Sequence, residues 1–477
     1  MTSKFKRPRR LPRGAASLSL ALGSLALASC ASVPKPGIGE APRSGESYAA
    51  TSLQATGLAW PGDGWWTNYA DPQLTALIDE AMAGAPDLRA AQARVRRAQA
   101  LVTNSRADLL PSINAGAGVQ GARQSYNLGF PAPEGWNDSG QASLNLNWEI
   151  DFWGKNRAAL AAATSDAQAA RAEEAAARLA LSTAIASDYA VLAGLFADRA
   201  AAAEAVLVRI RTHALMEGRR AEGLEHSGAV QRAASAAASA QAELVAVDEA
   251  INLVRHRLAA LVGAGPDRGL GIVPPATRVA GPMGLPQNLP ADLMGRRPDI
   301  AAARLRVEAA SNRIEVAEKR FYPNINLAAV VGLQSLNLVN FAQSDSFAGS
   351  GGAAISLPIF QGGRLRAQYR GAESDYDLAV AEYDRTVAQA LREVADAATG
   401  QRALGVRIAH TRAAHLAAQS AFTVANNRYR GGLATYLEVL AAEDALIASR
   451  RALAALETRS FALEISLIRA LGGGFGA

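Results

Sequence analysis

Residues 143–157 read Ser-Leu-Asn-Leu-Asn-Trp-Glu-Ile-Asp-Phe-Trp-Gly-Lys-Asn-Arg, and their hydrophobic period changes partway through. Leu144, Leu146, Trp148 and Ile150 fall on one side of an extended chain, and Ser143, Asn145, Asn147 and Glu149 on the other. After Gly154 the chain turns alanine-rich with helical spacing and no loop residues between, which predicts one element running from strand directly into helix. The same switch recurs at Ile355-Ser-Leu-Pro-Ile-Phe-Gln-Gly-Gly-Arg-Leu-Arg366. Two such events imply a duplicated unit. Alternation by itself also describes a soluble sheet buried on one face, so other features must separate the two readings.

The amino terminus is the first of these. Lys4, Lys6, Arg7, Arg9, Arg10 and Arg13 precede any acid and equal the whole formal charge of +6, so the rest of the chain is neutral. A nucleic-acid-binding reading then has no basic surface to rest on. The apolar run Ala15–Ala28 is too short to span a bilayer and has the form of a secretory signal over 1–29. It ends in Leu27-Ala28-Ser29-Cys30, which resembles a bacterial lipobox and marks Cys30, the single cysteine, for acylation. Ala31 follows where Asp would hold a lipoprotein at the inner membrane, so the address resembles that of the outer membrane. Residues 30–64, rich in Pro, Gly, Ser and Ala, are expected to be a lipidated start and an extended tether.

Ordered structure is expected from Trp65-Trp66, with Asp71-Pro72 opening a helix and a second helix over Asp87–Asp108. A strand near Ile113–Gln120, a loop over Arg123–Asp138, the strand to Ile150 and a helix from Lys155 to about His213 follow. That helix carries an apolar stripe at Leu181, Ile185, Tyr189, Leu192 and Phe196, and at about 60 residues would be about 90 Å long. Gly218–Gly228 should break it before another helix to Val262. Past Gly263–Gly295 the pattern replays at an offset of about 210 residues: Pro298-Asp299-Ile300 repeats Pro86-Asp87-Leu88, Gly363 matches Gly154, and Gly432-Leu433 matches Gly223-Leu224. The second copy predicts strands at Asn324–Gln334 and Ala353–Phe360 around a loop at Ser335–Ser350, then helices over Arg364–Asn426 and Leu433–Leu471. The expected division is a first repeat at 65–264, a linker at 265–297, a second repeat at 298–472 and a tail at 473–477. Tyr369, Tyr376 and Tyr383, one heptad apart and continued by Val387 and Val394, read as a packing seam.

Strands of about ten residues can cross a bilayer, but four cannot close a barrel, and open edges cannot sit in hydrocarbon. Three chains would supply twelve strands, with Ser143, Asn145, Asn147 and Glu149 facing a wet lumen and the alternate residues facing lipid.

Leu285-Pro-Gln-Asn-Leu-Pro-Ala-Asp-Leu-Met-Gly-Arg296-Arg297-Pro298-Asp299-Ile300 is similar to the inter-repeat signature of outer-membrane efflux proteins of the TolC/OprM type, in their NodT-like lipoprotein branch. Trp65-Trp66, Asp71-Pro72-Gln-Leu74, Trp148–Gly154 and Arg428–Leu440 also resemble motifs of that family, so the likeness covers essentially the whole chain. It implies a mainly α chain with transmembrane β: a homotrimeric 12-stranded β-barrel continued by a 12-helix α-barrel, with two internal repeats per chain. The resemblance further implies a passive outer-membrane duct, reaching into the periplasm and docking through a periplasmic adaptor onto an inner-membrane transporter of the resistance-nodulation-division class. It would open by an iris motion of its periplasmic helix tips, placed at Asn426–Leu440. By resemblance Tyr429 ties the tips, Leu437 forms an apolar constriction and Glu438 an acidic ring, while Ala441 and Ala434 stand where the family has a second acid and a basic residue. The first-copy tip, Glu217–His226, matches the family only at Gly223-Leu224.

No phosphate loop, nucleophile elbow or zinc-binding histidine spacing occurs, so no enzyme activity, no metal and no cofactor beyond the lipid on Cys30 are expected. The alternative is a lipid-anchored periplasmic scaffold or adaptor whose helices bind partners. The same duct could also serve metal efflux or type I protein secretion.

Overall fold

The computed structural model describes residues 33–35, 37, 39, 41–44, 47–48, 60–123, 125, 127, 134–276, 285–286 and 289–476. The signal segment and Cys30 lie outside these, as does much of the tether. A short 3-10 turn at Trp65–Tyr69 leads into α1 (Pro72–Gly84) and α2 (Pro86–Ala107). Next come β1 (Ser112–Ala122), β2 (Asn137–Ile150), α3 (Lys155–Ala221) and α4 (Ser227–Leu261). Short helices α5 (Pro266–Leu270) and α6 (Leu289–Arg296) precede α7 (Pro298–Lys319), β3 (Asn324–Ser335), β4 (Phe347–Ser356), α8 (Arg364–Arg430) and α9 (Tyr436–Ala470). Corresponding helices have equal lengths: α2 and α7 have 22 residues, α3 and α8 have 67, and α4 and α9 have 35.

Local chemistry sets the helix starts. Asp71 caps α1 by accepting the Gln73 and Leu74 N–H groups, with Pro72 at the first helical position where its missing donor costs nothing. Leu74, Leu77, Ile78 and Ala81 recur at helical spacing and are fully buried. They meet the predicted stripe of α3, in which Leu181, Ile185, Tyr189 and Leu192 are buried and Phe196 is partly so, together with Val254 and Leu258 of α4 and Phe461 of α9. Each such aliphatic side chain contributes about 1.5–3 kcal/mol by burial. Tyr189 Oη donates to Asp71 Oδ2 at 2.8 Å, so the residue that starts α1 also fixes the helix beneath it.

The long helices outrun expectation. α3 continues past His213 through Gly218 to Ala221, and α8 past Asn426 to Arg430, while α9 begins at Tyr436 rather than Leu433. One interior glycine costs only about 1 kcal/mol, which 67 cooperative residues absorb. At 1.5 Å per residue each spans about 100 Å.

All four strands form one antiparallel sheet in the order β1-β2-β3-β4, leaving β1 and β4 as edges. β4 corrects the expected strand at Ala353–Phe360: it runs Phe347–Ser356, and the expected loop shrinks accordingly. The expected loop reached Ser350, but ladder hydrogen bonds use backbone alone, and Gly349 and Gly351 pair with Val331 and Ala329. Pro358 cannot donate to a ladder, and the strand stops before it. A second correction concerns the strand-to-helix joint, which is not continuous: Asp151–Gly154 intervene, with Gly154 at φ 86°. The second copy turns through Gly362 and Gly363, both at positive φ.

The chain divides into two compact units. One holds residues 96–169 and 304–382, with the sheet and a cluster of Ile314, Phe321 and Tyr369 against which Val33 and Tyr376 pack. The other holds 43–95, 170–303 and 383–477, with the main core. Each unit thus draws on both sequence repeats. Part of the tether lies against α8: Gly37 N donates to Glu373 Oε1 at 2.6 Å and Gly39 N to Asp377 Oδ1 at 2.9 Å in the first unit. In the second, Arg43 N donates to Asp384 Oδ1 at 3.1 Å. The tyrosine seam is seated: Tyr369, Tyr383, Val387 and Val394 are buried.

Candidate functional site

Residues paired across an antiparallel ladder share a face. Ile113 pairs with Leu146 and Leu146 with Ala329; Ala115 pairs with Leu144, Leu144 with Val331, and Val331 with Gly349; Ile150 pairs with Ile325, and Ile325 with Ile355. The opposite register joins Ser112 to Asn147, Asn114 to Asn145, Gly116 to Ser143 and Glu149 to Asn326. The sheet therefore has one mainly apolar face and one face of polar or small residues, interrupted by Val330, across all four strands. Ser143, Asn145, Asn147 and Glu149 lie together on the second. On the first, Leu144 is 50% exposed, Ile113 66% and Ile355 72%, so among the described residues this face is largely uncovered, with Leu338 and Phe341 closing over it only at Gly140. A soluble sheet would bury it.

At the far ends of the long helices the two repeats make matching turns. Gly223 and Gly432 take φ 74° and 73°, a left-handed conformation that disfavours other residues. Leu224 N donates to Arg219 O and Leu433 N to Arg428 O, both at 2.8 Å, closing the carbonyls that each helix end leaves open. Tyr429, on the last turn of α8, is only 3% exposed. Its Oη bonds Glu225 Oε1 at 3.2 Å and faces Met216 Sδ at 3.5 Å, and the Arg219 guanidinium sits 4.7 Å from its ring centre. Burial, opposed by Arg219 and aided by Glu225, pushes the Tyr429 phenol up to about 12.

Glu438 and Leu437 are exposed on the first turn of α9. The Glu438 carboxylate accepts from Thr435 N and approaches Arg428 Nη1, both at 3.3 Å, so it closes a capping box and an ion pair within its own chain. Where a second acid was expected, Ala441 stands, and the next carboxylate, Glu443, is buried with its Oε1 3.3 Å from Arg209 Nε. Burial pushes the Glu443 carboxyl up, against the pull of Arg209. Glu225, Arg219, Met216 and Arg209 were missed by sequence reasoning. Glu225 carried one usable signal, an acid two residues beyond the repeat-matched Gly223.

The Arg-Arg-Pro-Asp element divides its labour. Arg297 is buried; its guanidinium bonds both Asp299 oxygens at 2.7 and 3.0 Å, Glu393 Oε2 at 2.9 Å and Ala470 O at 2.9 Å. One side chain so fastens the start of α7 to α8 and to the last turn of α9. Pro298 opens α7, and Arg296 stacks over Trp60 at 5.0 Å. Gly472, at φ 92°, passes so close that a Cβ would lie 2.0 Å from Arg296 O.

The model of the outer membrane efflux protein family matches residues 77–264 and again 289–473. The chain is 36% identical to the fusaric acid resistance protein FusA of Burkholderia cepacia over 76% of this chain and 70% of that one. It is 30% identical to the multidrug resistance outer membrane protein MdtP of Escherichia coli K12 over 90% of both. The crystal structure of the outer membrane protein VceC from Vibrio cholerae superposes with TM-score 0.83 at 44% identity, over 87% of this chain and all of VceC. A two-faced sheet, two 67-residue helices and a doubled family match together make this chain a member of the outer membrane efflux protein family, an outer-membrane channel rather than an enzyme.

Proposed function

We propose that the protein is the exit duct of a tripartite pump, a homotrimer anchored by acyl chains on Cys30 and joined through a periplasmic adaptor to an inner-membrane transporter of the resistance-nodulation-division class. The observation that carries this is the sheet. It has a lipid-compatible face, a polar face and two unpaired edges, which in hydrocarbon require partners. Three copies of four strands give a twelve-stranded barrel with Ser143, Asn145, Asn147 and Glu149 toward the lumen. The duct performs no chemistry; its gate is the helix–turn–helix tip. The Tyr429–Glu225 bond holds the α8 tip to the first-copy turn, Leu437 offers an exposed apolar surface to other chains, and Glu438 completes the tip charge with Arg428. Resistance to fusaric acid and to multiple drugs, named for two relatives, favours small organic solutes over metal ions or polypeptides.

The test is a protease-accessible tag inserted within Arg123–Asp138, the loop between β1 and β2. Cleavage on intact cells is expected if the duct reading holds, because the strand ends Ala122 and Asn137 that flank this loop pair at the end of the sheet away from the strand-to-helix joints. Cleavage only after the outer membrane is ruptured would instead favour a periplasmic scaffold.

A further inference from the structure

At the foot of the sheet, where β2 gives way to α3 and β4 to α8, a cavity of about 570 Å³ opens between Glu149, Lys155, Lys319, Arg320, Tyr322 and Arg364. A second, of about 560 Å³, shares Glu149, Lys155 and Arg320 and continues beside Ser112, Asn147 and Asn326, residues of the polar face. In the second cavity Asp108 and Glu149 balance Lys155 and Arg320, but in the first the charges do not cancel. Glu149 is paired with Lys155 at 2.5 Å, Asp151 with Arg157 at 3.2 Å, and Lys319 with Glu318 at 3.2 Å. Arg320 and Arg364 are held differently: Arg320 Nη1 donates to Gln368 Oε1 at 3.1 Å, and Arg364 donates to Gln361 Oε1 at 2.7 and 3.1 Å. An amide oxygen orients a guanidinium without neutralising it. Two guanidiniums that keep their charge therefore border one water-accessible cavity: Arg320 spends only Nη1 on Gln368, while Arg364 turns its Nε–Nη2 edge to Gln361 and would meet an oxyanion through Nη1 or by exchanging that amide.

We propose that this foot is an anion-binding station in the lumen, where Arg320 and Arg364 take a carboxylate or phosphate group of a solute passing toward the barrel. The proposal rests on the channel reading, since it places the polar face toward the transported solute. Trimeric symmetry would set six such guanidiniums around the passage, a local excess of positive charge that raises anion concentration there. Exposure keeps each contact weak, as a transit site requires: a solute must enter and also leave.

The full-length acylated protein is examined in planar bilayers under a potassium chloride gradient, with citrate as the probe. Wild type is expected to favour chloride and to be blocked by citrate. In the R320Q/R364Q variant the reversal potential should move toward potassium, and the citrate needed for half block should rise about fivefold to tenfold, the loss of two solvent-exposed charge-assisted contacts. R320K/R364K should keep the chloride preference yet lose much of the block, because charge survives and the fork does not. Equal selectivity and equal block in wild type and the Gln variant would overturn the proposal. If the Gln variant does not insert, the Lys variant and calorimetric titration of citrate into detergent-solubilised wild type decide it, and absence of both block difference and binding heat counts against it. A phosphate of lipid origin is a separate outcome: phosphatidylglycerol retained by wild type and lost from the variant in native mass spectrometry, with no citrate effect, assigns the site to a headgroup and overturns the solute version. Wild type that forms no pores at all defeats the duct reading instead, while the citrate titration still reports on Arg320 and Arg364.

Discussion

At the scale of single residues, side chains that look alike in the sequence do unlike work. Arg296 and Arg297 are adjacent, yet one stacks on an indole and the other is buried in a four-bond clamp. Tyr429 and Glu438 both stood as gate residues. Tyr429 reaches the other repeat through Glu225, whereas Glu438 spends its carboxylate on Thr435 and Arg428, three and ten residues away along its own tip. Tyr429→Phe should therefore loosen the tip by about 1–3 kcal/mol, the loss of a hydrogen bond to a charged acceptor, and raise resting conductance in planar bilayers. Glu438→Ala should act less on conductance and more on α9 stability. If the two variants changed conductance equally, the division between a cross-repeat tie and a local cap would not stand. The phenol adds a pH signature. Its folded value is raised, so its contribution is complete below pH 10 and is lost as pH climbs toward about 12, which should appear as rising conductance in that window.

Among elements, the strands carry the clearest message. Period-two alternation assigned Leu144 and Asn145 to opposite faces, and the register extends each face over three neighbouring strands. Leu144→Arg should cost about 2–4 kcal/mol in a bilayer and cut assembly into liposomes, while Asn145→Arg, one residue away, should be tolerated and alter ion selectivity. Comparable assembly defects in both would refute the assignment of faces. Element boundaries were less legible. β4 was displaced because glycine signals a turn locally but pairs as well as any residue in a ladder, and α3 ran through Gly218 because length outweighs one poor helix former. The first-copy tip was illegible for another reason. Glu225 acquires its role only from Tyr429, more than two hundred positions away, and its one local mark, an acid two residues beyond Gly223, does not say which partner it meets.

For the whole molecule, the decisive question is what covers the two sheet edges. β1 and β4 end the sheet of a single chain, and Cys30 is the only native cysteine, so engineered pairs are free of background thiols once it is acylated. Cysteine at Ile113 or Ala115 in β1, combined with a series along β4 from Gly351 to Ile355, should yield disulfide-linked dimers and trimers in cell membranes for at least one register. A monomer band throughout the series would leave the barrel unclosed. From sequence alone the duplication, the two faces of each strand and the great length of the helices were determined, because each rests on periodicity or spacing that the chain carries, and the family was legible as a resemblance in its motifs. Only the tertiary structure decided which repeat-distant groups meet: Asp71 with Tyr189, Arg297 with Glu393 and Ala470, Tyr429 with Glu225, and the amide-held pair Arg320 and Arg364 beside one cavity. Such contacts depend on how helices about 100 Å long are aligned, and a shift of one turn would exchange every partner without altering any local pattern.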